Sequence, residues 1–123
     1  MEHPEYQREY LVSIGERPWG EYKVLANERD HKVKSITVRA GERLSLQRHQ
    51  KREEHWFIHR GIAKVTINEV DYIIGQGRYI DIPRNTYHRI ENIGDGDLVF
   101  IEIQTGEYFG EDDIERVADD YER

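Results

Sequence analysis

The sequence predicts an all-β barrel of the jelly-roll kind with a short helix at its C-terminal end, and three observations predict it. Short runs alternating apolar and polar residues recur along most of the chain, the period-2 signature of strands with one buried face. Turn signals separate these runs: Arg17-Pro18-Trp19-Gly20, Asn27-Glu28-Arg29-Asp30, Asn68-Glu69, Pro83-Arg84-Asn85 and Gly94-Asp95-Gly96-Asp97. After Gly110 the pattern changes. Ile114, Val117, Ala118 and Tyr121 recur at helical spacing, behind acidic Glu111, Asp112 and Asp113 that suit a helix N-terminus.

Taken in order, residues 1–16 form an arm or an edge strand, the latter suggested by the alternation of Tyr10, Val12 and Ile14. In the turn at 17–20, Pro18 fixes φ and Gly20 supplies conformational freedom. Strands then read at 21–25, 33–39, 43–49, 54–59, 62–67, 70–74, 78–82, 87–92 and 98–104, so the barrel occupies 17–110. The tail, 111–123, is the helix, with its apolar stripe packed on the barrel. A jelly roll protects the edges of so many short strands by arranging them in two sheets. At 123 residues the chain is expected to be a single domain.

Composition bounds the function. The chain is 37% hydrophobic and 35% charged, a balance that a barrel alternating inward and outward side chains accommodates. A net charge of −7 with no basic stripe argues against nucleic acid. The absence of cysteine excludes disulfides and thiolate metal sites. No apolar run approaches membrane-spanning length, so no membrane role is expected and the cytoplasm is the default location.

The candidate site is Gly41–Gly61, GERLSLQRHQKREEHWFIHRG. Gln47 and His49 are two apart and leave one face of a strand. Glu54 follows a short charged turn, where a hairpin brings its carboxylate back towards them, and His88 comes from a second stretch, 77–92. Singly, such residues are most often solvated polar groups. Together they make a nitrogen/oxygen set suited to one divalent transition metal: zinc first, with cobalt, nickel, manganese or iron also accepted. Arg43 and Ser45 share the face of Gln47 and His49, turning Leu44 and Leu46 away. Glu54, Trp56 and Ile58 share a face opposite His55, Phe57 and His59. On the last strand Leu98, Phe100, Glu102 and Gln104 oppose Val99, Ile101 and Ile103, and either face can be the interior. Arg43, Arg48, Lys51 and Arg52 crowd the approach, as a solvated turn or as a docking field for an anion.

The order Gly41, Gln47-x-His49, Glu54, Gly61, then Gly77, Pro83, His88 and Asn92 resembles the two motifs of the cupin superfamily, with Gln47 where the first His usually stands. The match is closer to the C-terminal isomerase domain of type II mannose-6-phosphate isomerases. It runs from Arg17-Pro18-Trp19-Gly20 through Glu54-His55-Trp56, His88-Arg89 and Glu91-Asn92 to Gly110-Glu111-Asp112-Asp113-Ile114. This resemblance implies a cupin-type double-stranded jelly-roll barrel, a metal held by Gln47, His49, Glu54 and His88, and association as a homodimer. It also implies interconversion of mannose 6-phosphate and fructose 6-phosphate through an enediol, which needs a base and an electrophile. The candidate bases are Glu102 first and His55 second; the candidates for holding a sugar phosphate are Arg43, Lys34, Tyr79, Arg89 and Gln104. The competing readings are another cupin enzyme, such as an epimerase or an oxygenase, and a non-catalytic sugar-binding cupin. Many type II proteins carry an N-terminal guanylyltransferase domain with a Gly-rich nucleotide loop. Nothing here resembles it, so no GDP-mannose synthesis by this chain is expected.

Overall fold

The computed structural model describes residues 13–118. In chain order its strands are β1 (Ile14–Arg17), β2 (Gly20–Asn27), β3 (His31–Val38), β4 (Leu46–His49), β5 (Arg52–Arg60), β6 (Ile62–Ile67), β7 (Val70–Gly75), β8 (Tyr79–Ile82), β9 (His88–Asn92), β10 (Leu98–Gly106) and β11 (Ile114–Ala118). They pair antiparallel in two sheets, β1-β2-β3-β10-β5-β8 and β11-β4-β9-β6-β7. Ile36, Trp56, Ile58 and Phe100 of the first sheet form one core with Ala63, Val65 and Ile90 of the second. The expected all-β jelly roll is therefore the observed class.

Local chemistry explains the joins. Pro18-Trp19 connects β1 to β2 in register, and Gly20 lies so close to β3 that a Cβ there would stand 1.9 Å from the Thr37 carbonyl oxygen. The Asn92 amide is buried and satisfied: it donates to the carbonyls of Val38 and Gly96, both at 2.8 Å, and accepts from the Gly94 N–H at 2.9 Å. It ties the second sheet to the first and shapes the 94–97 turn.

Each inner face is graded from apolar to polar along its strand. On β10 the buried residues run Leu98, Phe100, Glu102, Gln104; on β5, read backwards, they run Ile58, Trp56, Glu54, Arg52. β9 contributes Ile90 and then His88, and β3 runs from Val38 and Ile36 to Lys34 and Lys32. Stacking these gradients gives a barrel with an apolar plug at one end and a polar cup at the other. The plug holds the fully buried apolar side chains, among them Leu98, Ile58, Val65 and Ile90. Phe100 is fully buried with its ring 5.2 Å from that of Trp56. Phe100→Ala is expected to cost about 3–5 kcal/mol, read as a lowered urea midpoint at unchanged slope; a loss below about 1 kcal/mol would mean the core collapses freely around the gap.

The tail departs from expectation. The expected helix over 111–123 is a 3₁₀ turn at Glu111–Asp113 followed by strand β11, and residues 119–123, with Tyr121, lie outside the described residues. The ladder explains the change. β11 pairs with β4, aligning Ile114 with His49, Glu115 with Arg48 and Arg116 with Gln47. A short isolated helix is marginal, whereas an extended Ile114–Arg116, with Ala118, satisfies the open edge of β4. Of the expected N-terminal strand, Tyr10 and Val12 are outside the described residues and Ile14 begins β1.

Candidate metal centre

The ligand candidates come from both sheets. Gln47 and His49 stand on β4 and His88 on β9, in the second sheet, while Glu54 stands on β5 in the first. The charged turn after His49 is thus a crossing between sheets, not the expected hairpin, and it places Glu54 across the cup from the imidazoles. Asp113 fixes that crossing, its carboxylate accepting the N–H groups of Gln50 at 3.2 Å and Lys51 at 2.9 Å.

His49, Glu54 and His88 are buried and offer ligand atoms within 4.8 Å of one another. His49 Nε2 lies 3.2 Å from Glu54 Oε2, and His88 Nε2 lies 3.9 Å from Glu54 Oε1. Bonds of roughly 2.0–2.2 Å to a shared ion place neighbouring ligand atoms about 3–4 Å apart, so the spacing fits a first-row divalent metal. His88 Nδ1 donates to the Thr86 carbonyl at 2.9 Å, which leaves the Nε2 lone pair for a metal. Burial above all, with the charges of Arg52 and His88, pushes the His49 pKa down to about 3, so its imidazole is neutral at ordinary pH. Gln47 sits opposite His88 across the ladder and donates its amide N–H to Ser45 Oγ at 2.9 Å. Gln47, Glu54 and His88 line one small cavity with Trp56 and Glu102.

Two carboxylates share this interior in different states. Burial raises the Glu54 pKa, but Arg52, His88 and hydrogen bonds from Glu102 and Arg52 outweigh it and hold the group below the usual range. Glu102 goes the other way: burial first, then the charge of Glu54, raises it. Trp56 Nε1 donates to both carboxylates at 3.1 Å, and the Gln104 amide donates to Glu102 at 2.6 Å. The arrangement is two carboxyls whose pKa values are pushed apart, Glu54 down and Glu102 up, spanned by an indole N–H.

Arg52 is the residue that sequence reasoning misplaced. Read as part of a solvated turn or of an anion-docking field, it is only 3% exposed, with Nε 2.9 Å from Glu54 Oε2 and Nη2 3.3 Å from His49 Nε2, and it also lines the cationic cleft described below. The signal was present, because stepping back by two from Trp56 and Glu54 reaches Arg52 on the same inward face. Among the others, Lys34 lines the cleft described below, Gln104 is fully buried behind Glu102, and Arg89 Nε is bound to the Leu44 carbonyl at 2.8 Å. Arg43 forms a backbone bridge with Glu91 and lines neither the cup nor the cleft. Tyr79 stands 70% exposed on the edge strand β8. His55 is on the outer face, paired with Asp81 at 2.9 Å, away from the cup. Leu44 turns inward against the core, since the strand starts only at Leu46 and the alternation assumed from 43 is broken.

Beside the cup opens a cleft of about 160 Å³, and the two share Gln47, Leu44 and Glu102. Arg17, Lys32, Lys34, Arg52 and Arg116 line it with Glu111, a cationic concentration in a chain of net charge −7. The Tyr22 ring supports Arg17 at 4.8 Å and Lys34 at 5.0 Å. Burial, then the charge of Lys34, lowers the Lys32 pKa. No helix among the described residues is long and apolar enough to cross a membrane.

Comparison with known proteins follows the same lines. The sequence profile of the family described as "Mannose-6-phosphate isomerase C-terminal" matches residues 6–119. The mannose-1-phosphate guanylyltransferase RfbM of Salmonella typhimurium is 45% identical over 82% of the chain, and the alginate biosynthesis protein AlgA of Pseudomonas aeruginosa is 44% identical over 87%. The chain spans about a fifth of the length of these curated relatives, 21% and 22%. Among solved structures, the capsular polysaccharide assembling protein CapF of Staphylococcus aureus superposes with a TM-score of 0.79 at 20% identity, over 94% of this chain and 34% of that one. The cupin domain of Schizosaccharomyces pombe Cnp3 does so with a TM-score of 0.71 at 18% identity, over 78% and 69%. These likenesses show the cupin fold. They also correct the expected activity: relatives matched over most of this chain bear the name of guanylyltransferases, which transfer nucleotidyl groups, so a mannose-6-phosphate isomerase is not what the comparisons support. By the extent of the profile match and by its cupin barrel, the chain belongs to the mannose-6-phosphate isomerase C-terminal family.

Proposed function

We propose that this chain is a metal-holding cupin module that binds a phosphorylated mannose and serves the mannose 1-phosphate chemistry named in its relatives. The observation that carries the reading is the junction of the buried His49–Glu54–His88 cluster with the cationic cleft through Gln47 and Glu102. A sugar lying across that junction would have the candidate metal ligands on one side and charge-assisted donors for its phosphate on the other. Gln47, His49, Glu54 and His88 would hold one divalent first-row ion, which supplies polarisation of a sugar oxygen. Lys34 and Arg52, with Lys32, Arg17 and Arg116, would hold the phosphate.

Calorimetric titration of the metal-loaded chain with mannose 1-phosphate and with mannose tests this. The phosphorylated sugar should bind at least roughly tenfold more tightly, since charge-assisted bonds to it have no counterpart in mannose. Equal affinities would remove the phosphate from the reading, and unchanged binding after chelation would remove the metal.

A further inference from the structure

Glu111 stands on the 3₁₀ turn that closes over the cleft, its carboxylate 3.7 Å from Lys34 Nζ and 4.0 Å from Arg52 Nη1. Lys34 and Arg52 are 12% and 3% exposed, whereas the Glu111 side chain is 54% exposed. We infer that Glu111 is a built-in occupant of the anion subsite, a carboxylate that holds the place of the ligand's phosphate and leaves when the phosphate enters. This rests on the reading of the cleft given above and adds its regulation.

Three features of the strap carry it. Glu111 touches its cations only at ion-pair range, beyond hydrogen-bond distance, while its neighbours are firmly bound. Asp113 accepts two backbone N–H groups of the sheet crossing, and Glu115 accepts from the Tyr87 hydroxyl at 3.0 Å and pairs with Arg48. The strap is therefore anchored on its far side by Asp113 and Glu115, and Glu111 can rotate out without unpairing β11 from β4. Finally, the buried cations cannot follow an exposed carboxylate into solvent, so its departure leaves them turned to the cleft. A doubly charged phosphate makes stronger, shorter bonds to the same two cations and displaces a single, loosely held carboxylate.

The sign of one substitution separates this from the alternative, in which Glu111 contacts the ligand's hydroxyl groups. Inorganic phosphate is titrated into the full chain at fixed ionic strength, for the wild type, Glu111→Gln, Glu111→Ala and Asp112→Asn. Both Glu111 variants should bind phosphate roughly three- to tenfold more tightly, because a site occupied most of the time lowers apparent affinity by its free fraction. Asp112→Asn changes net charge equally on the same turn but lies on Tyr108, not on the cleft cations, and should change affinity little. Equal or weaker binding by the Glu111 variants overturns the inference, as does an equal gain in Asp112→Asn, which would mark a bulk charge effect. If the wild type binds phosphate and the Glu111 variants gain nothing, the proposed function stands and this inference alone fails. If neither the wild type nor any variant binds phosphate, both fall.

Discussion

Glu54→Gln is expected to destabilise the fold by about 3–5 kcal/mol and to abolish metal binding, although the side chains are nearly isosteric. The physical reason is Arg52, whose guanidinium is buried and bonded through Nε to Glu54 Oε2 at 2.9 Å. Removing the charge of Glu54 leaves that cation with only the distant Glu111 carboxylate at 4.0 Å, and a poorly compensated buried charge costs far more than a lost surface pair. Glu102 sets an upper limit on the effect. Its pKa is raised by burial and by the charge of Glu54, so deleting that charge eases the ionisation of Glu102, which offsets Arg52 in part. The double variant Glu54→Gln/Glu102→Gln closes this route and should lose more than the two single losses added together. Urea unfolding at neutral pH reads the cycle, and metal content is read on the same samples. A Glu54→Gln loss under about 1 kcal/mol would show that the guanidinium is solvated in solution.

The same residues show how much of the site was legible in the sequence. Period-2 alternation put Glu54, Trp56 and Ile58 on one face of their strand and Phe100 with Glu102 on one face of theirs, without saying which face of the latter is interior; all five are buried. Alternation is a property of one strand, and it fails where a strand ends. Leu44 lies before the first residue of β4, so its inward turn was unreadable from a run taken to begin at 43. Arg52 was misread for a related reason: composition suggested a charged turn, but β5 begins at that residue. The tail failed differently. Ile114, Val117, Ala118 and Tyr121 satisfy a helical spacing, yet so short a stripe says little against a ladder that pairs three successive residues with β4. That decision lay in the open edge of a strand some sixty residues earlier, which no local window contains. Activity was the least legible. The motif identifies the barrel and its ligand types, while the reaction belongs to whole proteins of which this chain matches about a fifth.

The largest stabilisation expected of this chain comes from the metal itself. A ligand that binds only the folded state stabilises it by about 4.1 kcal/mol when present at roughly 1,000 times its dissociation constant. In a chain of 123 residues each kcal/mol shifts the melting midpoint by roughly 3–6 °C, so loading a chelated sample should raise it by roughly 12–25 °C. The cup makes this demand on geometry: His49, Glu54 and His88 are brought within 4.8 Å only by pairing β4 with β9 and crossing the chain into β5. An unfolded chain has no such convergence and so has little affinity for the ion. His88→Ala should remove the increment, and the quantity to compare is the difference between loaded and chelated protein, since the substitution also leaves a void beside Trp56. His55→Ala is the matched control. It deletes an imidazole one residue from Glu54, but on the outer face and paired with Asp81, so the metal-dependent shift should survive intact. Zinc, cobalt and manganese titrated in turn rank the ions by the size of the shift. An increment that persists in His88→Ala, or vanishes in His55→Ala, would place the metal outside the cup.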